Sequence, residues 1–226
     1  MPVLEPIADG VWTSTVEVPL LRVMRIPAAM TVLRLRGDEL LLHSPVPLTP
    51  ERKAEVDALG RVTHLYSPNS FHHLSLGFWS AAYPHAKVHG SHALTKKRRD
   101  LRIDRFQDAP EPAFESVLDE VRIEGFLLEE SVLLHRASKT LVVADLVHHF
   151  TPTHRLTRWY ASLAGFNGGV AISKVIRSTS FPDKKAARRS VDAVLALDFE
   201  RIIVGHGTVI TQNPKEQLAR AYDWLR

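Results

Sequence analysis

The chain has 226 residues, 45% of them hydrophobic and 24% charged, with a formal net charge of +4 and no cysteine. That is enough chain, with an ordinary globular balance, for one α/β domain with a sizeable core. It excludes disulfides, thiolate metal sites and a thiol nucleophile, no run approaches the roughly 18 apolar residues of a spanning helix, and Met1–Glu5 has neither a basic start nor a signal-length apolar core, so a cytoplasmic protein is expected.

In chain order, Val11–Val16, Met30–Arg36 and Glu39–Ser44 read as strands, with Gly37-Asp38 as a tight turn between the last two. Thr49 caps a helix with Pro50 at its first position and Glu51 at its positive end; Ala54, Val56, Ala58 and Leu59 form its apolar side and Gly60 stops it. Val62–Tyr66 is a strand, followed by a loop through His72-His73 and a short helix through Trp79 and Ala82 that Pro84 ends. Lys87–His89 is a strand, and Ser91 caps a helix running into Lys96–Arg102. Asp104–Phe114 reads as a surface connection, and Val121–Ile123, Ser131–His135 and Leu141–Ala144 as strands, with Ser138-Lys139 at a turn. His148–Asn167 reads as helical or irregular, with the character of a lid. A helix starts at Ser180–Asp183 and carries Ala187, Val191, Val194 and Leu195 at helical spacing. Arg201–Val204 is a buried strand, and Asn213-Pro214-Lys215-Glu216 opens a last helix with a reciprocal cap and an inner face of Leu218, Ala221, Tyr222 and Leu225.

Three of these strands end in metal-binding residue types. The first leads into Ser67-Pro68-Asn69-Ser70-Phe71-His72-His73, the second ends on Asp145, and the third on Gly205-His206-Gly207. Imidazole and carboxylate are the usual ligands of hydrolytic zinc, manganese or iron. A plainer reading stands beside this one: hydrogen-bonded structural histidines, a turn shaped by Pro68 and Asn69, and an Asp145 that caps the amides after it. His148 and His149 follow Asp145 by three and four residues, so a turn can return one of them to the site. His43 ends a strand, His64 lies inside one and faces a second layer, His135 flanks a strand as a packed or surface residue, and His85, His89 and His92 are expected to be exposed. The basic run Lys96–Arg102 suits a solvated helix end. No aromatics interleave it, so a nucleic-acid partner is not expected. There is no Gly-x-Ser-x-Gly elbow, no P-loop and no Gly-x-Gly-x-x-Gly. Ala164–Gly169 reads as a flexible glycine-rich loop, and Trp159, Tyr160 and Phe166 line a pocket or pack as core.

Order and spacing resemble the metallo-β-lactamase superfamily, which places His-x-His-x-Asp-His after a strand, a bridging Asp at another strand end and a last His in a Gly-His-Gly-like turn. Here Pro68 and Ser70 stand where the first two histidines belong, His72 where the Asp belongs and His73 where the final His belongs. Asp145 matches the bridging Asp and His206 the last His; Gly125–Glu130, where an intermediate His belongs, holds none. Asp9-Gly10-Val11-Trp12 resembles the opening strand, Asp38–Ser44 the strand that ends in Asp-x-Gly, with His43-Ser44 in place of that ending, and Tyr83–Val88 the strand after the first motif. The resemblance spans roughly the full length. It implies an α/β fold, a metallo-β-lactamase-like four-layer αββα sandwich, as one domain over 1–226. It further implies a metal-dependent hydrolase of an ester, thioester or related bond, with a mononuclear site. His73, Asp145 and His206 would hold one divalent zinc, manganese or iron ion. His72 would be a fourth ligand, a supporting donor or a general base, so that His72 and Asp145 carry the catalysis. The partner would be a small-molecule substrate or ligand, with no membrane; oligomeric state is left open. The alternative is a non-catalytic, metal-free member of the fold that binds a ligand or a protein.

Overall fold

β-branched and aromatic residues alternate with polar ones along the first third of the chain, and glycines at positive φ turn it back on itself. A computed structural model describes residues 3–20, 24–149 and 169–225. Strands β1 (Glu5–Ala8), β2 (Val11–Leu20), β3 (Met24–Arg34) and β4 (Glu39–His43) form an antiparallel meander. Gly10 (φ 71°) and Gly37 (φ 59°) sit at its tight turns, where L side chains are strained. From β4 onward the sheet is parallel: β5 (Arg61–Tyr66), β6 (Lys87–Gly90) and β7 (Arg105–Phe106) follow in order, completing seven strands. Helices α1 (Pro50–Leu59), α2 (Leu76–Ala82) and α3 (His92–Lys97) make the crossovers that parallel pairing requires. The second sheet has the order β11-β10-β9-β8, from β8 (Leu118–Arg122), β9 (Ser131–His135), β10 (Thr140–Val142) and β11 (Arg201–Ile203). Helices α4 (Lys174–Thr179), α5 (Lys184–Ala196) and α6 (Pro214–Ala221) belong to this half.

Three apolar clusters define the layers. Leu40, Leu42, Val56, Leu65, Trp79 and Val88 join the first sheet to its helices. Leu134, Leu141, Val191, Ile202 and Leu218 do the same for the second. Leu33, Leu41, Tyr66, Leu133, Val142 and Ile203 fill the space between the sheets. The result is the expected αββα sandwich.

Several local expectations change. On α1, Ala54 and Ala58 are exposed, and the inward side is carried by Val56 and Arg52. Arg52 is buried because its Nε donates to Ser14 Oγ at 2.9 Å and its Nη1 to the Pro47 carbonyl. On α6, Asn213 is left-handed and makes no side-chain cap, so the reciprocal cap does not form. The stretch 104–114 is not a plain surface connection. It supplies β7 and a 3₁₀ turn (Pro112–Phe114), and it buries Arg105, Gln107, Glu111 and Phe114. β1 and α4 are additional elements. The lid-like stretch beyond His149, with Trp159, Tyr160, Phe166 and the glycine-rich run from Ala164, lies outside the described residues apart from Gly169.

Candidate metal centre

Strands β4 and β5 run parallel, as do β10 and β11. Their carboxyl ends face one edge, the place where open α/β sheets commonly receive ligands. β4 runs out into Ser44, β5 into the loop that carries Asn69 and His72, β10 into Asp145, and β11 into Gly205 and His206. Gly205 lets these ends close up: a Cβ there would stand 2.8 Å from the Ala144 carbonyl oxygen and 2.9 Å from His72 Cε1.

Asp145 is the centre of the cluster. His72 Nε2 lies 3.3 Å from its Oδ2, while His148 Nε2 at 3.3 Å and His206 Nε2 at 3.6 Å face its Oδ1. Side-chain exposure is 8% for His72, 9% for Asp145 and 17% for His206, so the approach from solvent is past His206. The tautomer of His206 follows from its other nitrogen. Nδ1 lies 2.7 Å from the Pro27 carbonyl, which can only accept, so Nδ1 carries the hydrogen. Burial, then the neighbouring His72, pushes the His206 pKa down to about 4, so the ring is neutral at pH 7. Its Nε2 therefore turns a bare lone pair toward a carboxylate oxygen, an arrangement that a cation between the two makes favourable. Burial opposes charge on Asp145, but His72, His148 and His206 outweigh it and hold the carboxyl well below the usual range. Separations of 3.3 to 3.6 Å are long for charge-assisted hydrogen bonds, which run about 2.7–2.9 Å. They are close to the ~3.4 Å between two ligands of a tetrahedral ion with arms of about 2.0–2.1 Å. These residues fit a divalent cation.

Behind these side chains lies a polar shell. Asn69 Nδ2 donates to Asp145 Oδ2 at 2.8 Å and to Glu130 Oε2 at 3.1 Å, and its Oδ1 accepts the backbone N–H of Phe71 and His72. Glu130 is fully buried and accepts the backbone N–H of Ala144, Asp145 and Leu146 at 2.8 to 3.2 Å. It thus does the capping that the plainer sequence reading gave to Asp145, and the Asp145 side chain turns instead toward His72, His148 and His206. Burial and then the Asp145 charge push the Glu130 carboxyl up. His72 Nδ1 lies 2.6 Å from Ser44 Oγ. Ser44 holds a left-handed backbone (φ 53°), unusual for a residue with a Cβ.

No family model and no curated protein matches the sequence. Solved structures do match over nearly the whole chain. VMB-1 superposes with a TM-score of 0.69 at 12% identity, covering 98% of this chain and 95% of that one. FIM-1 from Pseudomonas aeruginosa, a metallo-β-lactamase in its mono-zinc form, gives 0.67 at 11% identity over 98% and 94%. TMB-1 gives 0.66 at 14% identity over 98% and 95%. This chain has the metallo-β-lactamase fold.

Pro68 and Ser70 stand where the sequence resemblance places histidines, and the structure sorts the remaining candidates. His72, Asp145 and His206 place one ligand atom each within 4.8 Å of one another. His148, three residues past Asp145, turns back to join them; His149 instead meets Thr208. His73, expected as a ligand, is not in the group. Adjacent residues on a turn project to different sides, and His73 Nδ1 accepts from Arg98 Nη1 at 3.0 Å. His43 is buried beneath the site, stacked on Tyr66, with no hydrogen-bond partner for Nε2 among the described residues. Glu130, which the sequence reading passed over, is held in the same cluster: as the second residue of Glu129-Glu130, between Leu128 and Ser131, it carries no motif.

A second group, His64, His89 and Glu111, also has ligand atoms within 4.8 Å of one another. His89 was expected to be exposed but is fully buried, because β6 is an inner strand of the seven-stranded sheet. Arg105 donates to His89 Nδ1 at 3.3 Å, so His89 Nε2 carries the hydrogen and donates to His64 Nδ1 at 2.8 Å. Lys87 Nζ neutralises Glu111 at 2.9 Å. Here the Nδ1 lone pairs of His64 and His89 already accept hydrogen bonds and two cations, Lys87 and Arg105, stand beside the group, so it acts as a hydrogen-bonded prop between the sheets.

Proposed function

We propose that the protein is a metal-dependent hydrolase of an ester, thioester or related acyl bond, with a single divalent ion held by His72, Asp145 and His206 and flanked by His148. The observation that carries this reading is the bare His206 Nε2 facing Asp145 Oδ1 at 3.6 Å. A divalent ion held there supplies Lewis acidity, bringing the pKa of water from about 15.7 toward about 7 and polarising an acyl carbonyl. The chain's own residues do the rest. Pro27 and Ser44 hold the His206 and His72 rings by their outer nitrogens, as ligand histidines are usually held. Asn69 keeps Asp145 aimed. Solvent and a small substrate enter past His206, the most exposed of the three.

The test is metal content by elemental mass spectrometry, on untagged protein purified without chelator, beside His206→Ala. One zinc, manganese or iron ion per chain, lost in the variant, is expected, with turnover in an acyl-ester and thioester panel. No ion after incubation with all three metals sinks the hydrolase reading and leaves a binding protein on this fold.

A further inference from the structure

Large apolar side chains rarely stand in solvent together unless something meets them. Among the described residues five do, and three of them fall within eight positions: Phe71 at 55% exposure, Leu74 at 75% and Phe78 at 69%. Their neighbours turn inward, with Ser75, Leu76 and Trp79 all buried, so the outward set is not a frayed segment. Leu74 stands in the turn just before Ser75, the cap of α2, and Phe78 in that helix's first turn, so the two protrude close together in the chain. Phe71 precedes them on the loop that carries His72.

The basic run lies directly against this loop. Lys97 Nζ sits 4.3 Å above the Phe71 ring and donates to the Ser70 carbonyl at 3.0 Å. Arg98 meets His73, and Leu101 lies beside Gly77. Arg98 and Arg102 are neutralised by Asp100 and Asp104. Lys96 and Arg99 are exposed and have no carboxylate partner among the described residues, so with Lys97 the patch keeps an excess of positive charge. Protruding apolar side chains with exposed cations on the neighbouring segment match the boundary of an anionic bilayer, where the first enter the acyl region and the second meet head groups. A small ligand would need a concavity, and the apolar groups here stand outward.

We propose that Phe71, Leu74 and Phe78, with Lys96, Lys97 and Arg99 beside them, seat the protein on an anionic lipid surface. None of the described helices is long and apolar enough to cross a membrane, and this contact is peripheral. It places the loop that carries His72 beside the lipid boundary.

The test uses the full chain and vesicles of phosphatidylcholine alone or in equal parts with phosphatidylserine, read by co-sedimentation. Binding to the mixed vesicles alone is expected, falling steeply with added salt. Leu74→Ser/Phe78→Ser should lower the partition coefficient at least tenfold, and Lys96→Glu/Arg99→Glu by more than the roughly fivefold assigned to one lost charge. Both pairs are surface residues, so unchanged metal content and melting temperature confirm that the fold is intact. No binding to either vesicle overturns the proposal, as does binding that ignores the charge reversals. A wild-type dimer that Leu74→Ser/Phe78→Ser makes monomeric also overturns it, because the patch would then be a contact between copies. None of these readouts needs turnover, so failure here leaves the hydrolase reading standing, and failure there leaves this one.

Discussion

At the scale of single residues, the proposed site depends on the groups behind His72, Asp145 and His206 as much as on those three. Asn69 holds apart two buried carboxylates by donating to both. In Asn69→Ala, Asp145 and Glu130 face each other without a donor, and two backbone amides lose their acceptor. The expected cost is about 2–4 kcal/mol by urea denaturation, with metal affinity down roughly 10–100-fold by chelator competition. Glu130→Ala orphans three buried N–H groups at once and should cost about 3–5 kcal/mol; a loss under about 1 kcal/mol would show that water replaces the carboxylate. The sequence points to Asp145 and His206 because strand ends and a glycine-flanked histidine have a spacing that can be read. Of the adjacent pair, His72 enters the group and His73 does not, which depends on the turn's rotation and on Arg98, 25 residues away. Glu130 and the Pro27 carbonyl are invisible in sequence, since their partners lie 14 to 16 and 179 residues distant.

At the scale of elements, alternation and turn chemistry expose most of the sheet, and long-range burial decides what they miss. β4, β5, β9 and β10 are legible because their apolar runs are bounded by glycine, serine and lysine turns. β7 has only two residues and exists because it pairs with β6, which no local pattern announces. The burial of Arg52 on α1 likewise answers to Ser14 on β2. The end of β11 makes the sharpest demand. Gly205→Ala forces a methyl against the Ala144 carbonyl and the His72 ring. The expected result is a folded protein less stable by about 1–3 kcal/mol, with His72 displaced and metal binding weakened at least tenfold. Calorimetry for the first effect and metal titration for the second check this, and an unchanged metal affinity would mean that β11 shifts instead of His72.

At the scale of the whole molecule, buried histidines set the response to acid. Burial lowers His64, His89 and His135, and burial with the nearby His72 lowers His43 to about 3. A depressed histidine binds its proton more weakly folded than unfolded. Its contribution is therefore fully present above about 6.5 and is lost as pH falls toward the folded value, by about 1.4 kcal/mol per pH unit for each group. The melting temperature should hold from about pH 8 to 7 and fall steeply from about pH 6 to 5, before most carboxylates titrate; a flat profile to pH 5 would contradict the protonation states described for the core. A bound ion works in the other direction. At a hundredfold excess over Kd it adds about 2.7 kcal/mol, worth roughly 5–10 °C at this size, and His206→Ala should abolish the shift. One contact also orders events in time. Pro27 holds His206 across 179 residues, and Ala29 N–H meets the Gly205 carbonyl. A chain emerging from the ribosome displays Pro27 and Ala29 long before their partners are synthesised. Capture of an ion in the proposed geometry would wait until His206 has left the exit tunnel, so loading would be a late step in biogenesis and a chain stalled before that point would have no completed site with which to sequester metal.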